Sequence, residues 1–218
     1  MPARRWLSEQ GMMVKAEFTT PWGICDLVAV SLNEKRVRER LSLGQRNAVG
    51  PLIRVEILNA IPDAETNEST TVEAMMSNYR DILTAFQLRE EIDKLIAGKF
   101  VKVGKQGALQ KINGWAPLHR RVVALELKLT RVQDALAQAT SHQAFADESY
   151  VGLPTRLAER TAASSRAAAF RSEGVGILSV GQRQCKVLLR PEGRHHPINP
   201  SMQMHCVERF WRTRIRDN

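Results

Sequence analysis

The sequence contains little cysteine. Cys25, Cys185 and Cys206 are the three thiols among its 218 residues, and they are widely spaced. An odd, scattered set fits neither a disulfide framework nor a zinc-binding motif, and it suggests a reducing compartment. We therefore expect the protein to be cytoplasmic.

Long apolar runs are also missing. No stretch approaches the roughly 18 consecutive apolar residues that a membrane-spanning helix requires. The first residues carry two arginines and then polar side chains, without the apolar segment of a secretion signal. We expect neither a membrane protein nor a secreted one.

Acidic residues are fewer than basic ones, 23 against 32, which leaves a net charge of +9. This balance favours a polyanionic partner, nucleic acid first and an anionic membrane surface second, with a merely basic protein as the alternative. Arginines gather at Arg4 and Arg5, within 35–40, at 120–121 and in the tail at 209–216. Their forked guanidinium groups suit phosphates.

A strand with two charged residues stands at the centre of the sequence pattern. Residues 121–130 are rich in leucine and β-branched residues, yet contain Glu126 and Lys128. Side chains alternate along a strand, so these two lie on one face, roughly 7 Å apart. Burying an acid and an amine is costly without a partner. Either the two residues pair with each other or they serve chemistry.

A second charged anomaly lies in the predicted strand 24–30, where Asp26 interrupts an apolar run. Strand 12–18 precedes it, and the turn 19–23 makes the two a hairpin. Asp26 caps the adjacent turn or is a metal ligand. Glu9, on a short first helix, and Glu17, near the end of the first strand, could each add a carboxylate.

The middle of the chain predicts a separate module at 47–113, after an irregular or partly helical segment at 33–46. Its order is helices, the last at 80–97, followed by a β-hairpin. Leu88, Ile92, Leu95, Gly98 and Phe100 resemble the passage into the wing of winged-helix DNA-binding domains. The resemblance implies that the helix from Arg80 enters a groove and that Lys102 and Lys105 on the wing touch phosphate. A helical insertion that only packs against the core, or a surface for protein contact, is the alternative.

The remaining segments, 1–46 and 114–218, follow the order α-β-β-β-α-β-α-β-β-α. The unit 122–153 is a strand, a helix (131–146) and a parallel strand, and 157–171 is a further helix. The prediction is an α/β protein with a mixed central sheet flanked by helices.

This order, with Asp26 on one strand and Glu126-Leu-Lys128 on the next, resembles the PD-(D/E)xK, or restriction-endonuclease-like, nuclease superfamily. Residues 23–30 look like the family's aspartate strand, and 122–129 look like its ExK strand. Cys25 stands where the family's signature proline would be, and the inserted module accounts for the hundred residues between the two acids.

The resemblance implies a DNA phosphodiester hydrolase that uses Mg²⁺, with Mn²⁺ as a substitute. Asp26, Glu126 and the carbonyl of Leu127 would hold the metal, while Lys128 would orient water or stabilise the phosphorane.

Several further residues have weaker roles in this hypothesis. Glu9 or Glu17 would complete a second metal position, and Gln138 would orient water or phosphate. The basic residues expected to hold the DNA backbone are Arg4, Arg5, Lys102, Lys105 and Arg131. The resemblance assigns no role to His142.

Two other functions stay open. One is a catalytically inactive winged-helix DNA-binding regulator, which would act as a dimer on a two-fold site. The other is a structural subunit of a DNA-processing complex, suggested by a basic last helix with Phe210 and Trp211. A nuclease could act as a monomer or as a homodimer.

Overall fold

A computed structural model describes residues 1–21, 23–112, 117–192 and 199–216, with the side chains of 212–216 outside the description. Trp22, in the predicted turn, therefore lies outside the described residues. The tail arginines beyond 211 lie in the part of the chain whose side chains are not described. The helices in these ranges are α1 (Pro2–Ser8), α2 (Glu34–Ser42), α3 (Leu52–Ala60), α4 (Val72–Tyr79), α5 (Ala85–Ala97), α6 (Val132–His142), α7 (Thr155–Ala162), α8 (Arg166–Ser172) and α9 (Pro200–Arg216). The strands are β1 (Met13–Thr20), β2 (Gly23–Leu32), β3 (Val101–Val103), β4 (Leu109–Lys111), β5 (His119–Leu127), β6 (Glu148–Pro154), β7 (Gly176–Val180) and β8 (Cys185–Leu189).

The central sheet is mixed. Within the described ranges it has six strands in the order β1-β2-β5-β6-β7-β8. β2 runs antiparallel to both of its neighbours, β1 and β5. β5, β6 and β7 are parallel, and β8 returns antiparallel along β7. The predicted α/β class and the parallel pairing within 122–153 are confirmed.

Helix α6 covers one face of the sheet. Its buried stripe repeats at spacings of three and four residues, through Val132, Ala135 and Ala139, and packs against Val151 and neighbouring apolar residues. The connection from β5 to α6 is short, so the helix begins beside the end of β5. This brings its last turn back along the sheet towards Glu126.

Helix α1 covers the other face. Ala3 and Leu7 are buried and pack with Leu27 and Leu125. Full burial of each leucine side chain stabilises the fold by about 1.5–3 kcal/mol. Because side chains alternate along a strand, Leu125 faces α1 and Glu126 faces α6. One acidic residue is thereby directed into the interior beneath α6.

The chain divides into two compact units. The first comprises Met1–Leu32 and His119–Gln203, and the second comprises Asn33–Leu118 and Met204–Asn218. The second unit is therefore wider than the module predicted at 47–113, and it takes in α2 and most of the last helix, which the sequence analysis grouped with the core.

The second unit has its own apolar core, formed by α3, α4, α5 and the two-stranded β3–β4 hairpin. It also contains a buried ion pair. The guanidinium of Arg40 on α2 donates to the Glu208 carboxylate on α9 at 2.6 and 3.0 Å, and it lies 4.2 Å from the ring centroid of Trp211. Arg40 also donates from Nε to the carbonyl of Gln45 and from Nη2 to the carbonyl of Asn47.

Three helix boundaries differ from the sequence prediction for identifiable reasons. Helix α5 begins at Ala85 and not near Arg80, because Thr84 and Gln87 form a capping box. The segment 33–46 contains the regular helix α2, capped by Asn33. The single helix predicted at 157–171 is two helices, since the Ser164 hydroxyl bonds the carbonyl of Thr161 and accepts the N–H of Arg166.

None of the helices in the described ranges is both long and apolar enough to cross a membrane. The three cysteines are free thiols.

Candidate functional site

Asp26 and the Glu-x-Lys strand meet at the end of the β2–β5 ladder. The last residue pair on this side is Leu27 with Leu125. Beyond it, the backbone N–H of Leu127 donates to Oδ2 of Asp26 at 2.7 Å, across 101 positions of sequence. The Asp26 carboxylate thus replaces a main-chain acceptor where the two strands part, and it lies beside the residue between Glu126 and Lys128.

The irregular path of β1 and β2 explains how Asp26 reaches this position. Leu27 packs on the α1 face, whereas the thiol of Cys25 lies with His142 on the α6 face, although residues two apart on a regular strand share a face. Opposite Asp26 in the register, Glu17 has a left-handed backbone with φ of 50°. A non-glycine residue in this conformation is strained and often marks a functional position.

Glu126 is almost completely buried and uses both carboxylate oxygens. Oε1 accepts from Nζ of Lys128 at 2.7 Å, and Nε2 of His142 lies 3.3 Å from Oε2. Burial opposes ionisation of Glu126, but the bonds from His142 and Lys128 outweigh it and hold its pKa below the usual range. The bond to Glu126 raises the pKa of Lys128, against a smaller effect of burial. The centre is therefore an ionised carboxylate held between a cation and an imidazole.

His142 approaches from the last turn of α6. Because an ionised Glu126 can only accept, the proton of a neutral His142 ring resides on Nε2. Its Nδ1 is buried and has no hydrogen-bond partner within the described part of the chain. Phe145, 5.9 Å from the imidazole between ring centroids, stacks on Phe18 and forms an apolar wall on this side of Glu126.

Cys25 completes the buried cluster. Its thiol donates to the carbonyls of Leu27 and Leu125, and its sulfur lies within 4.8 Å of the facing Glu126 oxygen and His142 nitrogen. Sulfur, nitrogen and oxygen together are the donors of a softer cation such as Zn²⁺. Burial raises the pKa of Cys25 to about 12, so without a bound cation the thiol keeps its proton. As it stands, the cluster is a hydrogen-bonded interior beneath the Asp26–Glu126–Lys128 edge.

The three predicted accessory residues lie in different places. Glu17 is exposed directly opposite Asp26. Glu9 is the C-cap residue of α1 and is exposed. The strand that follows it begins at Met13, which pairs with Val30, roughly 13 Å of strand from Asp26. The side chain of Gln138 is exposed on α6. Of the three, only Glu17 has a register position beside Asp26.

The basic residues expected to contact nucleic acid are all exposed. Arg4 and Arg5 lie on α1, and Arg131 stands at the N-terminus of α6, paired with Asp134. In the second unit, Lys102 is on β3 and Lys105 begins the short 3₁₀ turn at Lys105–Gly107. Arg131 is also close enough to Lys128 to lower its pKa slightly through charge repulsion, which is a smaller effect than the bond to Glu126.

The sequence pattern alone does not bring His142 and Cys25 to Glu126. The signal for His142 was present: it continues the stripe of Val132, Ala135 and Ala139 at helical spacing, so it belongs to the buried face of α6. Cys25 carried no such signal, because regular alternation would direct it to the face opposite Glu126.

Comparison of the chain with protein-family models, with curated proteins and with solved structures finds no significant match.

Proposed function

We propose that the chain is a divalent-metal-dependent nuclease, a hydrolase of DNA phosphodiester bonds with a PD-(D/E)xK (restriction-endonuclease-like) core. The observation that carries the proposal is the 2.7 Å bond from the Leu127 N–H to the Asp26 carboxylate. It brings the Asp26 carboxylate beside Leu127, the residue between Glu126 and Lys128, at the end of the β2–β5 ladder.

The topology supports the same proposal. A helix, three antiparallel strands, a crossover helix and a parallel strand follow one another as α1, β1, β2, β5, α6 and β6. This is the order that the resemblance implies. The second unit interrupts it between β2 and β5, where an inserted module was expected.

The residues at this edge fit an oxygen-preferring cation. Oδ1 of Asp26 accepts no hydrogen bond from the described residues, and the Glu126 carboxylate is ionised. The Leu127 carbonyl belongs to the residue whose N–H holds Asp26. Carboxylate and carbonyl oxygens are the ligands of Mg²⁺ and Mn²⁺, so Asp26, Glu126 and Leu127 would hold the metal. A divalent cation there supplies a Lewis acid that activates water and offsets phosphoryl charge.

The protein's own groups divide the remaining work of hydrolysis. Water adds its oxygen to phosphorus, the bond from phosphorus to one sugar oxygen breaks, and that oxygen leaves with a proton. The Lys128 ammonium, fixed at 2.7 Å from Glu126, is placed to orient the water and to stabilise charge on the phosphorane. Asp26 and Glu126 would hold the cation near the water. The stacked rings of Phe18 and Phe145 exclude solvent beneath Glu126.

A DNA-binding regulator is the second candidate, because the second unit has the order α3, α4, α5 and hairpin β3–β4. A bridge between Thr70 and Leu109 adds a further extended segment to the hairpin. However, α5, the helix expected to enter a groove, carries Glu90, Glu91 and Asp93 against two cations. This balance repels phosphates, so the hydrolase is the better supported function.

The test is cleavage of supercoiled and linear DNA by the full chain with Mg²⁺, with Mn²⁺ or with EDTA. We expect cleavage that requires the metal. Removing one group that stabilises transition-state charge costs about 10²–10³-fold in rate, so Lys128→Ala and Asp26→Asn should each lower the rate at least that much. Lys186→Ala and Glu173→Gln, exposed changes of the same kinds at positions outside the proposed catalytic and binding residues, serve as controls.

Two outcomes would count against the proposal. Metal-dependent cleavage at an unchanged rate in Lys128→Ala would contradict the assignment of Asp26, Glu126 and Lys128 as the catalytic site. DNA binding without cleavage in any metal would favour the regulator.

A further inference from the structure

An open cleft of about 690 Å³ lies beside the candidate site in the first unit. It starts at Leu129, the residue after Lys128, and follows the loop into α6. On its other side lie the end of β6, helix α7 and the first residue of α8. The cleft is therefore at the carboxyl ends of the parallel strands β5 and β6, where open α/β sheets bind their ligands.

Four arginines line this cleft: Arg131, Arg156, Arg160 and Arg166. Among the described residues that line it, Asp134 is the one acid, and it pairs with Arg131. Within the described ranges, the guanidinium groups of the other three make no ion pair. Arg156 and Arg160 stand four positions apart on α7, an arrangement in which like charges destabilise a helix. Arg160 lies in the last turn of α7, where the helix dipole favours a cation, but Arg156 lies in the first turn, where the dipole disfavours one.

The backbone adds to the positive field. Helices α6 and α7 both begin at the cleft, at Arg131 and Pro154, and neither has a side-chain cap. Their first N–H groups and the positive ends of the helix dipoles therefore favour an anion. The arginines are the main source of positive charge in the cleft, and the two helix N-termini add to it.

We propose that this cleft binds the phosphodiester backbone of a nucleic acid strand as it approaches Lys128. Arg156 and Arg160 are separated by about 6 Å of helix rise, and further arginines line the cleft from the start of α6 and the start of α8. Positive charge contributed by three segments suits the successive phosphates of a strand better than a single small anion. Leu129, 80% exposed at the edge of the cleft next to Lys128, offers an apolar surface to a sugar or base. The choice of a nucleic acid over another polyanion rests on the proposed function of the adjacent site.

Binding can be tested separately from cleavage. The full chain is titrated in EDTA into fluorescein-labelled 25-mers of one sequence, as single-stranded DNA, duplex DNA and single-stranded RNA, with anisotropy as the readout. The variant is Arg156→Gln/Arg160→Gln. Its matched control is Arg171→Gln/Arg183→Gln, which removes the same charge from exposed positions of the same unit outside the cleft.

The salt dependence of binding, measured as the slope of log K against log salt, reports how many phosphates the protein neutralises. This slope is negative, and each arginine that no longer binds a phosphate reduces its magnitude by about 0.9 for a duplex and about 0.7 for a single strand. For the cleft variant we expect the magnitude to decrease by about 1.8 with a duplex and about 1.4 with a single strand. We also expect its binding at about 0.1 M salt to weaken at least tenfold. The control should change the dissociation constant less than threefold. A preference between the DNA and RNA arms identifies which nucleic acid the cleft accepts.

Three results would overturn the inference: equally weakened binding in the cleft variant and the control, unchanged binding in the cleft variant, or arginine-dependent binding of poly-L-glutamate without binding of any nucleic acid. Failure of the nuclease proposal is distinguishable from failure of the cleft inference. A wild type that binds nucleic acid through the cleft arginines but never cleaves it would contradict the nuclease proposal and support the cleft inference. A cleft variant that binds and cleaves DNA normally would contradict the cleft inference and leave the nuclease proposal intact.

Discussion

Replacing Lys128 by methionine removes one partner of the Glu126–Lys128 ion pair. The change keeps an unbranched side chain but leaves the Glu126 carboxylate, 1% exposed, with His142 as its remaining partner. Removing one partner of a fully buried ion pair costs about 3–5 kcal/mol. The Lys128 side chain is 30% exposed, so water takes over part of its role, and we expect a loss of about 2–3 kcal/mol in the free energy of unfolding.

The loss should depend on pH in a defined direction. The pKa of Glu126 is lower in the folded chain than its ordinary value, so its ionisation stabilises the fold above the unfolded-state pKa. That stabilisation disappears as the pH falls through the folded-state pKa. The gap between wild type and Lys128→Met should therefore be full at neutral pH. It should narrow as the pH falls below the ordinary glutamate pKa of about 4.3 and on through the lower pKa of Glu126 in the folded chain.

Urea unfolding followed by circular dichroism measures both effects. With a denaturant slope of about 2 kcal/mol per molar, the midpoint at pH 7 should fall by about 1 M. Lys102→Met, at an exposed lysine, should change stability by no more than about 0.5 kcal/mol. The reasoning is refuted if the two variants are equally stable at pH 7, or if the gap for Lys128→Met is the same at pH 3.5.

Three further outcomes follow from the packing. Arg40→Met leaves the buried Glu208 without its guanidinium partner, with the Val49 N–H still donating to it, and should destabilise the second unit by about 3 kcal/mol, seen as a lower urea midpoint. In Gly152→Ala, the new Cβ would lie 2.5 Å from Leu127 Cδ2, so we expect a loss of about 1–3 kcal/mol by the same assay. Cys25 is buried with a pKa raised to about 12, so a thiol reagent at pH 8 should label it only after unfolding.

The pairing of Glu126 with Lys128 was readable from the sequence because strand alternation is a local rule. Two charges at positions i and i+2 of an apolar strand must share a face, and the cost of burial makes a mutual bond the simplest outcome. The mixed sheet was predictable for a similar reason. The periods of the apolar residues distinguished β5 and β6 from α6, and the short connections limited how the strands could pair.

The rest of the site depends on long-range geometry. The left-handed backbone at Glu17 and the matching irregularity at Asp26 turn Cys25 towards Glu126, and no local pattern announces such a change of face. The position of His142 depends on how α6 crosses the sheet. The predicted start of α5 near Arg80, in contrast, is wrong although a local signal is present, since Thr84-x-x-Gln87 is a capping-box pattern that marks the start at Ala85.

The central claim is that Asp26 and Glu126 belong to one divalent-cation site. Its most direct test is titration of Mn²⁺ into the full chain, with free Mn²⁺ measured by electron paramagnetic resonance. We predict one bound Mn²⁺ per wild-type chain, affinity lowered at least about tenfold in both Asp26→Asn and Glu126→Gln, and no change in Glu9→Gln. Wild-type affinity in both site variants, or no binding by the wild type, would contradict the account.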